Sequence, residues 1–328
     1  MTSSKPLSLR ELNRTLLLRQ MLLERKRISV VRAVGKLVAL QAQYAPSPYV
    51  ALWSRVQGFR KEALSDPAIV KAGAFRTTLH VMSAAEYPYI ASSYIESQRA
   101  RSVGLGVDLA ALWAAVPDEP ISNAELFELG YRVLETDDRW TVAFAYRALP
   151  FVRTSPIGPW PHTKPSPFLP WREELPDAQE SATRVVRAYL AAYGPASRDD
   201  IQQFTGFRMR QIDPGLEGLR ERDGYWDVPR APSAQGDERA PVRFLPAFDS
   251  IILAHRDRSR IVPPEYLDVV FNKKNATTKN TFTVDGLVAG AWRIEKKRLI
   301  VEPFAPLPAK WKREVDAEGE RLLAWYLS

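Results

Sequence analysis

None of the 328 residues in this chain is cysteine. Disulfide bonds, thiolate nucleophiles and the usual zinc frameworks are therefore excluded. Histidine is almost as scarce, because only His80, His162 and His255 occur, and they are far apart in the sequence. Three scattered imidazoles make a poor set of metal ligands, so we expect no metal and no redox role.

Long apolar runs are also missing. No run approaches the ~18 residues that a membrane-spanning helix needs, and the first residues, MTSSKPLSLREL, lack the charged-then-apolar pattern of a signal segment. Glycine-rich GxGxxG and Walker-type loops are absent as well, so no nucleotide cofactor is implied. We expect a cytoplasmic protein that works without a membrane and without a cofactor.

Positive charge, in contrast, is abundant. The chain has 46 Lys and Arg against 38 Asp and Glu, a formal net charge of +8. Such an excess favours polyanionic partners, although it says nothing about the fold. Nucleic acid is therefore the first partner to consider, and the length allows about two or more domains.

The first 115 residues have a mainly helical pattern. Ser8 and Glu11 form a capping box ahead of one helix, and Ser29 is the cap candidate of a second. The apolar stripe of that second helix predicts that it continues through Gln41, until the prolines at 46 and 48 end it. The alternating segment RTTLHVM, residues 76–82, predicts a short strand.

The middle of the chain divides into two parts. Residues 117–177 are proline-rich and predict one short helix within ISNAELFELGYRVL, with no regular element in PIGPWPHTKPSPFLPW. The next stretch predicts a helix through SATRVVRAYLAAY and a shorter helix capped by Ser197. A turn at Thr205 and Gly206 and a helix within FRMRQIDPGLEGLRER follow, and Pro214 puts the continuity of that last helix in doubt. With DGYWDVP as a small wing, this is a helix-turn-helix pattern.

The last ninety residues have the alternation of strands. The segments VRFLPAFDSIILAHR, TFTVDGLVAGAWRIE and RLIVEPF are strand candidates, and the pair Asp285 and Gly286 indicates a hairpin. A C-terminal helix is expected from about 309 to 327. The predicted fold class is α+β, with a small β-barrel or curled sheet in this half.

Two glutamines stand close together at the end of the second helical stripe. On a helix, residues two apart lie about 200° around the axis, so Gln41 and Gln43 could share a site only if the backbone departs from helix near Gln43. Otherwise Gln41 is a buried, hydrogen-bonded core residue and Gln43 a solvated one. Spacing by itself does not establish a site.

Several long blocks resemble one protein family. They are ALQAQ followed by PYVALWSRV, RTTLHVMSAAEY, AYLAAYGPASRDDI, FLPAFDSIILAHRDRS and VDGLVAGAWRI. Together they resemble the winged-helix DNA glycosylases typified by AlkZ and YcaQ, over residues from about 8 to the end. The resemblance implies tandem winged-helix modules over 1–116, 117–177 and 178–232, and a β-barrel domain with its C-terminal helix over 240–328.

The resemblance also implies an activity, the monofunctional excision of alkylated bases from duplex DNA. The family's catalytic motif is two polar residues flanking an apolar one, and Gln41, Ala42 and Gln43 match it. Gln43 puts the chain on the AlkZ-like side, since the YcaQ-like branch has aspartate there. Members of the AlkZ-like side are associated with self-resistance in producers of DNA-alkylating metabolites.

Glutamine limits the chemistry that such a site can perform. An amide cannot accept a proton at neutral pH or form a covalent intermediate, but two amides can hold a water and direct its lone pair at C1′ of the sugar. This suits a base that already leaves easily. An N7-alkylated guanine or N3-alkylated adenine carries a positive charge and departs without a general acid.

Other residues are weaker candidates. Basic side chains that could bind DNA phosphates, or simply be solvated, are Arg208, Arg210, Lys273, Lys274 and Lys279. Pocket candidates near the glutamines or the strand are Tyr44, Trp53 and His80, although a structural role is more common for a lone histidine. We expect Asp257 and Arg258 to make structural ion pairs and therefore leave them out of the catalytic set.

The competing hypothesis is a winged-helix transcription regulator that binds DNA without chemistry, because fold alone does not fix function. A scaffold protein with an accidental glutamine pair is a third possibility, and it predicts no salt-dependent affinity for duplex DNA. Under the leading hypothesis the partner is duplex DNA with alkylated bases, and we expect the protein to act as a monomer.

Overall fold

Helices account for more of the regular structure than strands. The structure, a computed structural model, describes residues 6–153, 166–272 and 274–328. Within these ranges the α-helices are α1 (Leu9–Arg19), α2 (Val30–Lys36), α3 (Ser47–Trp53), α4 (Tyr87–Gly104), α5 (Leu109–Ala115), α6 (Asn123–Val133), α7 (Arg139–Arg147), α8 (Ala178–Tyr193), α9 (Arg198–Thr205), α10 (Met209–Leu216), α11 (Ser250–Leu253), α12 (Leu267–Val270) and α13 (Ala309–Leu327). The strands are β1 (Leu40–Gln41), β2 (Ile69–Gly73), β3 (Leu79–Ser83), β4 (Phe151–Arg153), β5 (Phe168–Pro170), β6 (Arg220–Arg222), β7 (Tyr225–Asp227), β8 (Arg243–Leu245), β9 (Phe271–Asn272), β10 (Thr277–Thr278), β11 (Thr281–Val284), β12 (Leu287–Glu295) and β13 (Arg298–Pro303).

The first two helices begin where their caps predict. Ser8 and Glu11 form the expected capping box of α1, and the side chain of Ser29 accepts a hydrogen bond from the backbone N–H of Arg32 in α2. The predicted end of α2 is wrong. The helix stops at Lys36, five residues before Gln41, and the chain then turns through Val38, whose φ of 65° lies in the left-handed region.

The prolines at 46 and 48 begin a helix instead of ending one. Pro46 is the N-cap of α3 and Pro48 lies in its first turn, where a missing N–H costs nothing because that N–H has no partner within the helix. The chain between the two helices is free to extend, and β1 forms there. The apolar pattern therefore predicted too long a helix, because a residue on the following strand can be buried at the position where the helix would place its next buried residue.

The short strand β1 belongs to a five-stranded antiparallel sheet with the order β1-β3-β2-β4-β5. The strand predicted over 76–82 is found as β3 and begins only at Leu79, because Phe75–Thr77 form a short 3-10 turn in which Arg76 and Thr77 have positive φ. In the middle segment the structure has two helices, α6 and α7, where one was expected. It also has β5 within a stretch expected to be irregular, and residues 156–165 of that stretch lie outside the described residues.

The predicted helix-turn-helix pattern is present as α8, α9 and α10, followed by the hairpin of β6 and β7. Ser197 and Asp200 form the capping box of α9, and Gly206 ends that helix with φ at 77°, a conformation that glycine adopts without steric cost. Pro214 lies within α10, which ends two residues later at Leu216.

Four antiparallel strands follow in the order β13-β12-β11-β8. The predicted hairpin at Asp285 and Gly286 joins β11 to β12, with φ of 43° and 82° as a tight two-residue turn requires. The predicted C-terminal helix is α13. Among the described strands, β13 and β8 are the edges of an open sheet, so the fold mixes α and β as predicted, without the closure that a barrel requires.

The hydrophobic core is continuous over distant parts of the chain. One cluster of buried residues includes Leu16, Val152, Ala182 and Leu245, one from each of the four predicted segments, whose boundaries stay a prediction. The chain is also joined by a fully buried ion pair, Arg55 with Asp249, at 2.7 Å. Within the described ranges no helix is both long and apolar enough to cross a membrane.

Candidate active site

Gln41 lies in β1 at the edge of the five-stranded sheet, and Gln43 follows it in a bend just after the strand. The register pairs Gln41 with His80 of β3, and the pairing continues through Ala42, whose N–H donates to the Leu79 carbonyl at 2.8 Å. Side chains two apart on an extended chain point to the same side. Leu40 and Ala42 accordingly face a buried apolar cluster, and the glutamines alternate with them. The departure from helix that a shared site requires is therefore present, although it begins before Gln41.

Gln41 is buried, with 8% of its surface exposed, and its Oε1 has no hydrogen-bond partner. The expected structural alternative, a buried glutamine with its hydrogen bonds satisfied, does not describe this side chain. A buried carbonyl oxygen without a partner costs about 1–3 kcal/mol, and most proteins avoid it. Gln41 thus presents an acceptor that is desolvated and available.

Gln43 is exposed and is held differently. Its Oε1 accepts a hydrogen bond from the backbone N–H of Leu79 at 3.3 Å. A carbonyl oxygen has a second lone pair, so this contact orients the amide without using all of its capacity. The pair therefore consists of one buried acceptor and one exposed amide, both anchored to β3 or to the residue at its start.

Gln41 lines a cleft of about 670 Å³ between the sheet edge and the hairpin of β9 and β10. The hairpin is tied to residues 246–250 by side-chain bonds, since Phe248 N–H donates to Thr278 Oγ1 at 2.6 Å and Ala247 N–H donates to Asn280 Oδ1 at 2.7 Å. The lining includes Gln41, Arg76, Phe248, Arg258, Phe271 and Thr278.

Several strained backbone positions lie in or near this cleft. Arg76 and Phe248, which line it, have φ of 52° and 60°, and Val38, three residues before Gln41, has φ of 65°. The left-handed region is unfavourable for bulky and β-branched residues and costs about 1–3 kcal/mol each. Such strain often marks binding and catalytic sites, because the surrounding structure must hold it in place.

His80 lies beneath the sheet edge and is 2% exposed. Its Nδ1 is 3.0 Å from the Thr78 carbonyl oxygen, and its ring packs edge-on against Phe75. Burial, with a smaller effect of the Arg76 charge, lowers the pKa of His80 to about 3. The imidazole is therefore neutral near pH 7 and cannot act there as a cationic general acid.

Arg258 is the main residue that sequence reasoning missed. The expected ion pair is absent: Asp257 Oδ1 accepts from Ser259 N–H, and Arg258 has no carboxylate partner in the part of the chain that the structure describes. Its guanidinium instead lies 4.3 Å from the centre of the Phe271 ring and lines the cleft with Gln41. The ion pair predicted near this position is formed by Arg256, with Asp199, at 2.6 Å.

The other two pocket candidates, Tyr44 and Trp53, lie in different surroundings. Tyr44 is 46% exposed and lines a neighbouring cleft, which shares Phe248 and Thr278 with the first. Trp53 packs in the core, stacked on Trp325 at 5.8 Å, and is not brought to the glutamines.

The basic candidates lie on two surfaces. Arg208 and Arg210 are exposed at the start of α10. Lys274 and Lys279 are exposed in and just after the β9–β10 hairpin, next to the cleft, and Lys273 lies outside the described residues. Over the ranges described, no group of three or more His, Cys, Asp or Glu side chains could hold a metal ion.

Comparison with known proteins identifies the family of this chain. Residues 34–325 match the family model described as DNA glycosylase AlkZ-like. The chain belongs to the AlkZ-like family. That match includes both glutamines, Arg76, Arg258 and the β9–β10 hairpin.

Two relatives of this AlkZ-like chain come from Streptomyces sahachiroi. An interstrand DNA cross-link repair glycosylase is 27% identical over 146 residues, which are 40% of this chain and 39% of that protein. The solved structure of the DNA glycosylase AlkZ superposes with a TM-score of 0.77 at 21% identity and covers 98% of each chain. The second similarity shows that the two chains share a fold.

Proposed function

We propose that this protein is a monofunctional DNA glycosylase that hydrolyses the N-glycosidic bond of N-alkylated purines in duplex DNA. The observation that carries the proposal is Gln41, which lines the cleft and whose buried Oε1 has no hydrogen-bond partner among the described residues; Gln43 follows two positions later in the chain. Membership of the AlkZ-like family supports the same reaction.

In the proposed reaction a water oxygen forms a bond to C1′ while the bond from C1′ to the purine nitrogen breaks. The electron pair of the broken bond goes to the base, which neutralises its positive charge, and the water's proton passes to solvent. Gln41 Oε1 accepts one hydrogen bond from this water and Gln43 orients it from the other side, so that catalysis rests on positioning. Neutral His80 offers no proton, which suits a base that leaves without acid catalysis.

We further propose that the chain contains three winged-helix modules, over 1–116, 117–177 and 178–232, and that α8–α10 with the β6–β7 hairpin form the third. Residues 240–328 are proposed to form a barrel-like unit. In this arrangement Arg208 and Arg210 at the start of α10, and Lys274 and Lys279 by the hairpin, bind DNA phosphates. The relative named as an interstrand cross-link repair glycosylase extends the proposed substrates to bulky adducts and crosslinks.

The test is incubation of the protein with a duplex that carries one N7-methylguanine. We expect free base and an alkali-labile abasic site, and no release by a Gln41→Ala, Gln43→Ala double variant purified in parallel, which controls for contaminating glycosylases. Tight, sequence-selective binding without product would favour the transcription regulator. A crosslinked duplex, followed on a denaturing gel, tests unhooking separately.

A further inference from the structure

Arg258 has no ion-pair partner among the residues that the structure describes. Its Nε is buried and has no hydrogen-bond partner, and its guanidinium makes a ring contact with Phe271 rather than an ion pair in the described ranges. Burial lowers the pKa of Arg258, and no neighbouring carboxylate offsets this effect. Arg258 is half-buried and makes no ion pair among the described residues, so its guanidinium has unused capacity to bind an anion.

Arg76 also lines the cleft, and its charge interacts with that of Arg258. Its Nη1 donates to the carbonyl oxygens at the end of α9, those of Gln203 and Phe204, which fixes the side chain. Burial, with a smaller effect of the Arg258 charge, lowers the pKa of Arg76 to about 10, so Arg76 stays protonated at neutral pH. Two like charges thus face one cleft, where exposed Asp268 contributes a carboxylate.

We infer that Arg258 and Arg76 together bind one of the two phosphodiesters that flank the damaged nucleotide, an assignment that rests on the proposed function. Guanidinium groups match phosphate oxygens in charge and in hydrogen-bond geometry, and an arginine can contact two oxygens at once. Gln41 lines the same cleft, so a phosphate held here lies beside the sugar that the water attacks.

The charge of the reacting groups argues for a phosphate and against the base. An N-alkylated purine is cationic and the sugar becomes cationic in the transition state, so two bare guanidiniums beside them would oppose the reaction. A bound phosphodiester neutralises part of this charge and lies between the arginines and the sugar. Holding that phosphate also fixes the position of C1′ relative to the water. In a mechanism that relies on positioning, this alignment is what increases the rate.

The first experiment changes the DNA and leaves the protein intact. Duplexes with one N7-methylguanine carry a neutral methylphosphonate at the 5′ or the 3′ flanking phosphate, or several nucleotides away as a control. We expect the flanking substitution, at one of the two positions, to weaken binding and slow base release by about tenfold, the value of a lost charge-assisted hydrogen bond, with little effect at the distant position. Equal effects at near and distant phosphates would overturn the inference.

The second experiment asks whether Arg258 is the partner. In Arg258→Ala the flanking methylphosphonate should cause a much smaller further loss, because only the Arg76 contact remains, while Arg258→Lys should keep more of the sensitivity. Arg256→Ala is the matched control, since Arg256 is two residues away, exposed and paired with Asp199. An Arg258→Ala protein that still loses tenfold on the methylphosphonate duplex would contradict the assignment.

Binding and chemistry are measured side by side, so the two proposals can fail separately. Selective weakening of duplex binding by the flanking methylphosphonate, much smaller in Arg258→Ala, supports the phosphate site even if no base is released, and then the glycosylase proposal is wrong. Base release that ignores the flanking phosphates supports the glycosylase and rejects the phosphate site.

Discussion

Gln41 and Gln211 are equally buried, each with 8% of its surface exposed, yet they belong to regions with opposite hydrogen bonding. In α10, Gln211 uses both ends of its amide: Oε1 accepts from Arg208 N–H at 3.1 Å, and Nε2 donates to the Ser93 carbonyl at 3.3 Å. In β1, Gln41 Oε1 has no partner. At these two positions the α10 amide is satisfied within the protein, and the amide oxygen in β1 is not.

The difference indicates which region is built for stability and which for binding. The start and the end of α9 are made by neighbours in sequence, Ser197 with Asp200 and Gly206. Around the cleft the backbone is strained at Val38, Arg76 and Phe248. Unsatisfied groups and strain lower stability, so they persist where the site needs them.

The largest expected effect comes from removing the buried ion pair next to the cleft. Asp249 caps α11, next to Phe248, and pairs with fully buried Arg55. Asp249→Ala leaves that guanidinium charged and unpaired, and should lower the free energy of unfolding by about 3–5 kcal/mol in urea denaturation. Asp199→Ala, which breaks the exposed pair with Arg256, should cost no more than about 1 kcal/mol. Similar losses in the two variants would contradict the role given to the buried pair.

Substitution of Gln41 and of Gln211 should have opposite effects on activity and stability. Gln41→Ala should slow single-turnover base release by about 100-fold or more with little loss of thermal stability, because no hydrogen bond of Oε1 is lost. Gln211→Ala should do the reverse, since it loses two hydrogen bonds far from the cleft and keeps the rate. Normal release by Gln41→Ala would reject the water-positioning mechanism.

The lowered pKa of His80 predicts that the stability of the protein depends on pH. Its pKa is about 3 in the folded chain against 6.5 for a free imidazole, so between these values the unfolded chain binds a proton that the folded chain does not. Stability should therefore fall as the pH falls from about 6.5 towards 3, by at most about 1.4 kcal/mol per pH unit from this residue. Chemical denaturation of wild type and His80→Asn across that range measures it. Identical slopes would show that His80 is not the group responsible.

The elements predicted correctly from sequence are those whose signals lie within a few residues. The capping boxes at Ser8 and Ser197, the cap at Ser29 and the hairpin at Asp285 were of this kind. The end of α2 was placed too late because Gln41 stands at the next buried position of the helical pattern, and a residue on a following strand can be buried at the same position. The second helix of the middle segment, α7, was missed, and so was the role of Arg258, which no local pattern distinguishes from an ion-paired surface arginine.

The sequence by itself determined the capped helices, the hairpin turn, the positive charge, the absence of cysteine chemistry and, through several long blocks, the family and its pair of glutamines. Tertiary structure alone decided that Gln41 would be extended, buried and unpartnered, and that Arg76 and Arg258 would share its cleft. The physical reason is distance along the chain. A cap or a turn is satisfied by residues three or four positions away, whereas the cleft joins residue 41 to residues 76, 248, 258 and 271–278, whose meeting depends on how the whole core packs.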